Sequence, residues 1–257
     1  MTVLAPLLMG AVPLIPAANP DYVETAWIVQ ADETQIGERN VRDGEYVLKH
    51  RLLPPTLAEL DEDVKDAKSG KTLAKAGDQL FGLLTSGAPV FCVKSMPSQN
   101  IARSLLIGTG NQQRCLIDND SDGRFDAEFH AGNAIPGLPN FMRKRPKKPD
   151  LVSGGAYRSI DPVLDKQNFF VAVRYEGRAG IIGKGSVPTF SVRFGTDGNV
   201  GSLTYDTVPD TSIMPFDVKM LSSRFTVLAR EGEIIRVKVH EAMPEQRFGV
   251  VQTIRYN

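Results

Sequence analysis

The sequence predicts a mainly β protein, an antiparallel sandwich or barrel-like arrangement of sheets with at most one or two short helices. Runs of β-branched, aromatic and aliphatic residues recur along the chain, and in the second half they are spaced at short, regular intervals. Two of these runs alternate strictly between apolar and polar residues, the period of a strand with one buried face. Clusters of Gly, Pro, Asn and Asp separate them.

In chain order, Tyr22–Gln30 and Tyr46–Leu53 have strand composition, with a turn signal at Arg42-Asp43-Gly44-Glu45 between them. Pro54-Pro55 then stops strand pairing, because proline has no N–H to give a ladder. Leu57, Leu60 and Val64 fall at helical spacing and predict one short helix within Thr56–Lys68. Lys71–Leu84 predicts a hairpin folded at Ala76-Gly77-Asp78. Between Met96 and Asn111 only Ile101–Ile107 is periodic, so this stretch reads as connection.

The second half predicts strands at Asn168–Tyr175, Thr189–Phe194, Ser202–Thr207, Arg224–Ala229 and Ile234–Glu241. Phe190, Val192 and Phe194 alternate with Ser191 and Arg193, and Ile235, Val237 and Val239 with Arg236, Lys238 and His240. Asp197-Gly198 is the pair a two-residue hairpin turn favours, since glycine takes positive φ without a Cβ clash.

Residues 1–18 are apolar and end in small side chains, which reads as a secretory signal, although no basic residue precedes the run. Three prolines and a length short of the roughly 20 residues a spanning helix needs argue against a membrane anchor. The expected organisation is this signal at 1–18, an N-terminal β region at 19–142, a basic loop or linker at 143–150 and a C-terminal β region at 151–257. An exported chain, periplasmic or extracellular, follows. With 42% hydrophobic residues the chain can bury a sizeable core, in one large domain or two smaller ones.

Export bears on the two cysteines. Cys92 lies in Pro89–Val93 and Cys115 in Arg114–Ile117, both strand-like, so a bridge between neighbouring strands is expected rather than two buried thiols.

The second cysteine leads into the most distinctive stretch, Asp118-Asn-Asp-Ser-Asp-Gly-Arg-Phe-Asp126. Carboxylates stand at loop positions one, three, five and nine, with glycine at six. Calcium takes six to eight oxygen ligands, and this spacing lets side chains of one tight turn converge while Gly123 makes the bend. The candidate ligands are Asp118, Asp120, Asp122 and Asp126, with Arg124 offering its backbone carbonyl. Phe129 stands where an EF-hand needs a bidentate Glu, and both flanks read as strands rather than helices. Over these nine residues the loop resembles the DxDxDGxxD calcium loops of integrin-type propeller blades and thrombospondin-type repeats, which implies calcium held by those five residues. The competing reading is a hairpin whose Asp and Asn side chains accept from their own backbone as Asx turns.

Other chemistry is thinly represented. Thirty basic and thirty acidic residues leave no net charge, which removes the simplest argument for nucleic acid or an anionic membrane as partner. The basic run Arg143–Lys148 has no interleaved aromatic for base stacking and reads as a solvated loop. Gly108-Thr-Gly-Asn-Gln-Gln113 leads into a strand rather than a helix, so it offers no phosphate site. His50, His130 and His240 stand far apart. Strand alternation places Asp126, Glu128 and His130 on one face, the only acid and base cluster available for catalysis. The functional expectation is a non-enzymatic, exported β module, structural or ligand-binding, of a cell envelope. The alternative is a hydrolase of an envelope polymer working through that cluster.

Overall fold

The structure, a computed structural model, describes residues 22–94, 113–131, 142–144, 148–181, 185–203 and 213–249. The signal-like run at 1–18 and the Ile101–Ile107 island lie outside them. Among the described residues there is no α-helix. Two single-turn 3-10 segments occur, Glu33–Gln35 and Pro162–Leu164, each begun by an aspartate (Asp32, Asp161) whose side chain accepts a backbone N–H of the turn.

The chain opens with β1 (Tyr22–Glu24) and β2 (Trp27–Val29), two pieces of what composition predicts as one strand, and continues through β3 (Gly37–Arg42) to β4 (Tyr46–Leu53). Short strands follow: β5 (Leu57–Leu60), β6 (Val64–Asp66), β7 (Thr72–Ala74), β8 (Gln79–Gly82) and β9 (Leu84–Thr85). The cysteines sit on β10 (Val90–Val93) and β11 (Gln113–Ile117), and the acidic loop joins β11 to β12 (Ala127–Ala131). Then come β13 (Met142–Lys144), β14 (Asp150–Gly154) and β15 (Tyr157–Ile160). The last seven are β16 (Phe170–Ile181), β17 (Gly185–Thr196), β18 (Asn199–Leu203), β19 (Phe216–Met220), β20 (Ser223–Glu231), β21 (Ile234–Glu241) and β22 (Gln246–Phe248).

These strands form four sheets in which every pairing is antiparallel. A nine-stranded sheet, β15-β5-β8-β10-β11-β12-β14-β6-β7, curls into a half-barrel. A six-stranded sheet runs β18-β17-β16-β4-β2-β22, a four-stranded one β19-β20-β21-β3 and a three-stranded one β13-β1-β9. The predicted turn at Asp43-Gly44 does form, but it passes the chain from β3 in the four-stranded sheet to β4 in the six-stranded one.

Alternation along the central strands explains how the core divides. On β8 and β10, Leu80 and Phe91 pack inside the half-barrel with Leu60, Val64, Leu116 and Phe125, while Phe81 and Cys92 face the opposite way. The outward set joins the main core, where Trp27 lies 4.7 Å from Phe169 and 5.6 Å from Phe81, ring centre to ring centre. Phe190 and Phe225 meet edge to face across two sheets at 5.2 Å. Burial of each such ring stabilises the fold by about 1.5–3 kcal/mol.

The structure revises several expectations. Thr56–Lys68 holds β5 and β6, not a helix. Leu57 and its neighbour Ala58 are both buried, as a strand covered on both faces requires, and β5 pairs with β8 and β15. Those ladders supply the backbone bonds that a local helical period would otherwise have claimed. The turn at Ala76-Gly77 forms, yet β7 pairs with β6 and β8 with β5 and β10, so it closes no hairpin. The Asp197-Gly198 hairpin joins β17 to β18 with Thr196 opposite Asn199, but Gly198 does not use positive φ. On β17 the polar Ser191 is buried like Phe190, Val192 and Phe194, because it bonds to Glu176 on β16, which also holds Arg193. β21 alternates as predicted, with Ile235, Val237 and Val239 buried.

The division at 143–150 does not separate two sheet systems. β14 and β15 complete the nine-stranded sheet of the first half, and β2, β3 and β4 enter sheets of the second half. Part of the expected basic loop is strand, since Met142–Lys144 pairs with β1.

Candidate acidic-loop site

Ile117 and Ala127 face each other as the last pair of the β11–β12 ladder, and the Asp126 N–H donates to the Ile117 carbonyl at 2.9 Å. The nine residues between Ile117 and Ala127 must turn back within that span. Gly123 takes φ +85°, where a side chain would be strained, and Ser121 adopts φ 60° before it.

Asp118 organises the interior of the loop. It is 1% exposed, and its Oδ1 accepts from the Asp122 N–H at 3.1 Å. Its Oδ2 accepts from the Gly123 N–H at 3.0 Å and from the Tyr157 hydroxyl at 2.8 Å. Burial, reinforced by the Asp118 carboxylate, pushes the Tyr157 phenol well above its ordinary range. Tyr157 also stacks on buried Phe125, ring centres 4.5 Å apart, and its N–H donates to the Gly123 carbonyl at 3.0 Å. The loop thereby ties the start of β15 to the β11–β12 end. From the other side the Asp126 carbonyl accepts from the Val152 N–H at 3.0 Å, and Arg124 pairs with Glu62 at 2.7 Å. Gly155 completes the corner at φ +88°, where an added Cβ would stand 2.8 Å from Val64 Cγ2.

Asp118, Asp120 and Asp126 each present a carboxylate oxygen within 4.8 Å of the other two, an arrangement that can hold a metal ion. Oδ1 of Asp118 has one donor and so keeps a lone pair. One oxygen of Asp126 accepts from the Asn119 N–H at 2.6 Å. Of the remaining candidate ligands, Asp122 is not part of the trio. Its Oδ1 accepts from the Arg124 N–H at 2.8 Å, an Asx turn of the kind the competing reading described. The Arg124 side chain is turned to Glu62. Part of the loop's carboxylates thus cap backbone, and three converge.

The Cys92 and Cys115 sulfurs lie 2.06 Å apart, at disulfide distance, on residues directly opposite each other in the β10–β11 ladder with Cα atoms 4.0 Å apart. Both face the main core and are fully buried.

The residues named for acid and base chemistry do not converge. Glu128 is buried and ion-paired with Arg114 at 2.6 Å, whereas His130 is exposed and Asp126 belongs to the loop. None of the three lines the groove beside Gln79 and Lys94 or the hollow beside Asn40 and Arg236. His50 is a core residue whose Nδ1 sits 3.1 Å from the Gln30 carbonyl, and His240 bonds Thr226 on the neighbouring strand.

Tyr157 escaped sequence reasoning because it reaches the loop from a strand 31 positions beyond Asp126, and no spacing rule links them. Buried Lys94 escaped too, although the alternation of Val90 and Cys92 points the next inward position at it.

Comparison with protein-family models, with curated proteins and with solved structures finds no match to this chain. What the fold and site define is a class: an all-β protein whose curled sheet is held at one corner by a carboxylate-rich loop. Among the described residues no helix is long and apolar enough to cross a membrane.

Proposed function

We propose that this chain is an exported, non-enzymatic β module of the cell envelope whose acidic loop takes up calcium. In this reading the ion and the cysteine bridge brace a structural or ligand-binding scaffold. The observation that carries it is the convergence of Asp118, Asp120 and Asp126 at the loop that fastens β15 and β14 to the end of the half-barrel.

Three carboxylates so close, one of them buried, favour a cation that gathers them, and hard oxygen donors suit calcium or magnesium. Calcium fits better because it accepts carboxylate, carbonyl and water oxygens in irregular geometry, whereas magnesium demands a near-ideal octahedron. The signal-like N-terminal run and a cysteine pair at bonding distance support export.

Thermal unfolding with calcium and with chelator tests the ion. At 100 times its dissociation constant a ligand adds about 2.7 kcal/mol, which for a chain near this size raises the midpoint by roughly 5–10 °C. Asp120 is exposed, so Asp120→Ala should abolish the shift and leave the metal-free midpoint in place. An identical midpoint in calcium and in chelator overturns the calcium reading.

A further inference from the structure

Beside β8 and the end of β10, away from the acidic loop, lies an open groove of about 490 Å3. Its lining includes Asp78, Gln79, Lys94, Lys166 and Gln167. That volume suits a small ligand.

The polar groups of its floor are built in. The Lys94 side chain is 7% exposed, and its ammonium is ion-paired with Asp165, itself fully buried. The same ammonium donates to Gln79 Oε1 at 3.2 Å. Gln79 is in turn held by the Lys166 N–H at 3.0 Å and by the Leu164 carbonyl at 3.2 Å. The Gln167 N–H fixes Asp165 Oδ1 at 2.8 Å, and Arg51 Nη2 donates to the Asp165 carbonyl at 2.7 Å. Among the described residues, Lys94 is therefore a positioned cation with one further N–H to give.

Two features of this network ask for complementary chemistry. The Lys94 ammonium is under-supported: burial works hardest against it, more than Asp165 makes up, and Lys166, which itself faces Glu59 at 3.9 Å, and Arg51 add a smaller repulsion. An anion in the groove relieves that imbalance. In addition, two buried oxygens, Asp165 Oδ2 and Gln167 Oε1, have no hydrogen-bond donor, and the buried Arg51 Nε has no acceptor. A simple carboxylate satisfies N–H groups but brings no proton for those oxygens, whereas a hydroxyl both donates and accepts.

We propose that this groove binds a small hydroxylated carboxylate, a molecule with the size and chemistry of a sugar acid or hydroxy acid. The carboxylate faces Lys94 and Lys166, and a hydroxyl serves the Gln167 side of the floor. The turn that leads into Asp165 carries the exposed apolar pair Val163 and Leu164.

Calorimetric titration of the full chain at low salt with gluconate tests this, alongside propionate, which lacks hydroxyls, and glycerol, which lacks charge. Saturable gluconate binding is expected, at least tenfold tighter than either control and weakened by added salt. Lys166→Ala and Gln167→Leu should each weaken it several-fold, and Lys166→Ala, at an exposed side chain, should leave the thermal midpoint unchanged. No saturable gluconate binding overturns the proposal. So does equal binding of propionate or glycerol, or wild-type affinity in both variants.

Discussion

Opening the link between Cys92 and Cys115 is the perturbation whose size follows most directly from the fold. The two residues are 23 apart in sequence and directly opposite in the β10–β11 ladder. Their covalent connection restricts the unfolded chain far more than the folded one, which the ladder already holds in register. For a loop of that length the entropy removed from the unfolded ensemble is worth roughly 3 kcal/mol at room temperature. In a chain near this size that lowers the thermal midpoint by roughly 6–12 °C. Both sulfurs are fully buried, so reductant added to native protein should act slowly. The reduced sample is best made by unfolding in reductant and refolding under it. Denaturant unfolding of the two samples should show a lower midpoint on reduction, with a slope that stays equal or rises as the freed unfolded chain expands. Thiol titration of denatured, unreduced protein should find none. Two titratable thiols refute the link, and coincident midpoints refute the loop-entropy reasoning.

Two further predictions test buried polar groups. Lys94→Met leaves the Asp165 carboxylate buried without its cation and should cost about 3–5 kcal/mol; adding Asp165→Leu should recover most of that, and a double variant no more stable than the single one contradicts it. Tyr157→Phe removes a hydrogen bond to the Asp118 carboxylate and should cost about 1.5 kcal/mol, the lower end for a charged acceptor at a half-buried site. The Tyr157 phenol is raised above about 10, so its contribution is complete below pH 10 and fades as pH climbs toward the folded-state value. Wild-type stability should therefore fall more steeply above pH 10 than that of Tyr157→Phe, and parallel curves in denaturant titrations would contradict this.

Much of the architecture is legible where local pattern and long-range pairing agree. Tyr46–Leu53 and Ile234–Glu241 are strands at their predicted bounds, because their alternation or branching matches a sheet face that is in fact buried. The Asp197-Gly198 hairpin is legible because both its strands adjoin the turn. Reading fails where pairing is distant. Leu57, Leu60 and Val64 keep a helical period by coincidence, and nothing nearby announces that β15, a hundred residues on, will pair with β5. Strands of two or three residues, such as β1, β9 and β22, are too short to carry a period. In the acidic loop the spacing shows which carboxylates can meet. It does not show that Asp122 accepts from the Arg124 N–H, two residues on, and stands apart from the trio.

The placement of β2 has a consequence for the life of the chain before it is finished. Trp27–Val29 lies between β4 and β22, and its second neighbour, Gln246–Phe248, is some two hundred residues downstream. While the ribosome is still at work, that edge of β2 has no partner and Trp27, 1% exposed in the finished molecule, lacks part of its cover. Such distant pairings make closure late and slow, so the nascent chain is vulnerable to aggregation and to proteases until its last strands emerge. The same delay keeps it threadable, which is the state a polypeptide must hold if it is to be drawn through a narrow channel before it folds.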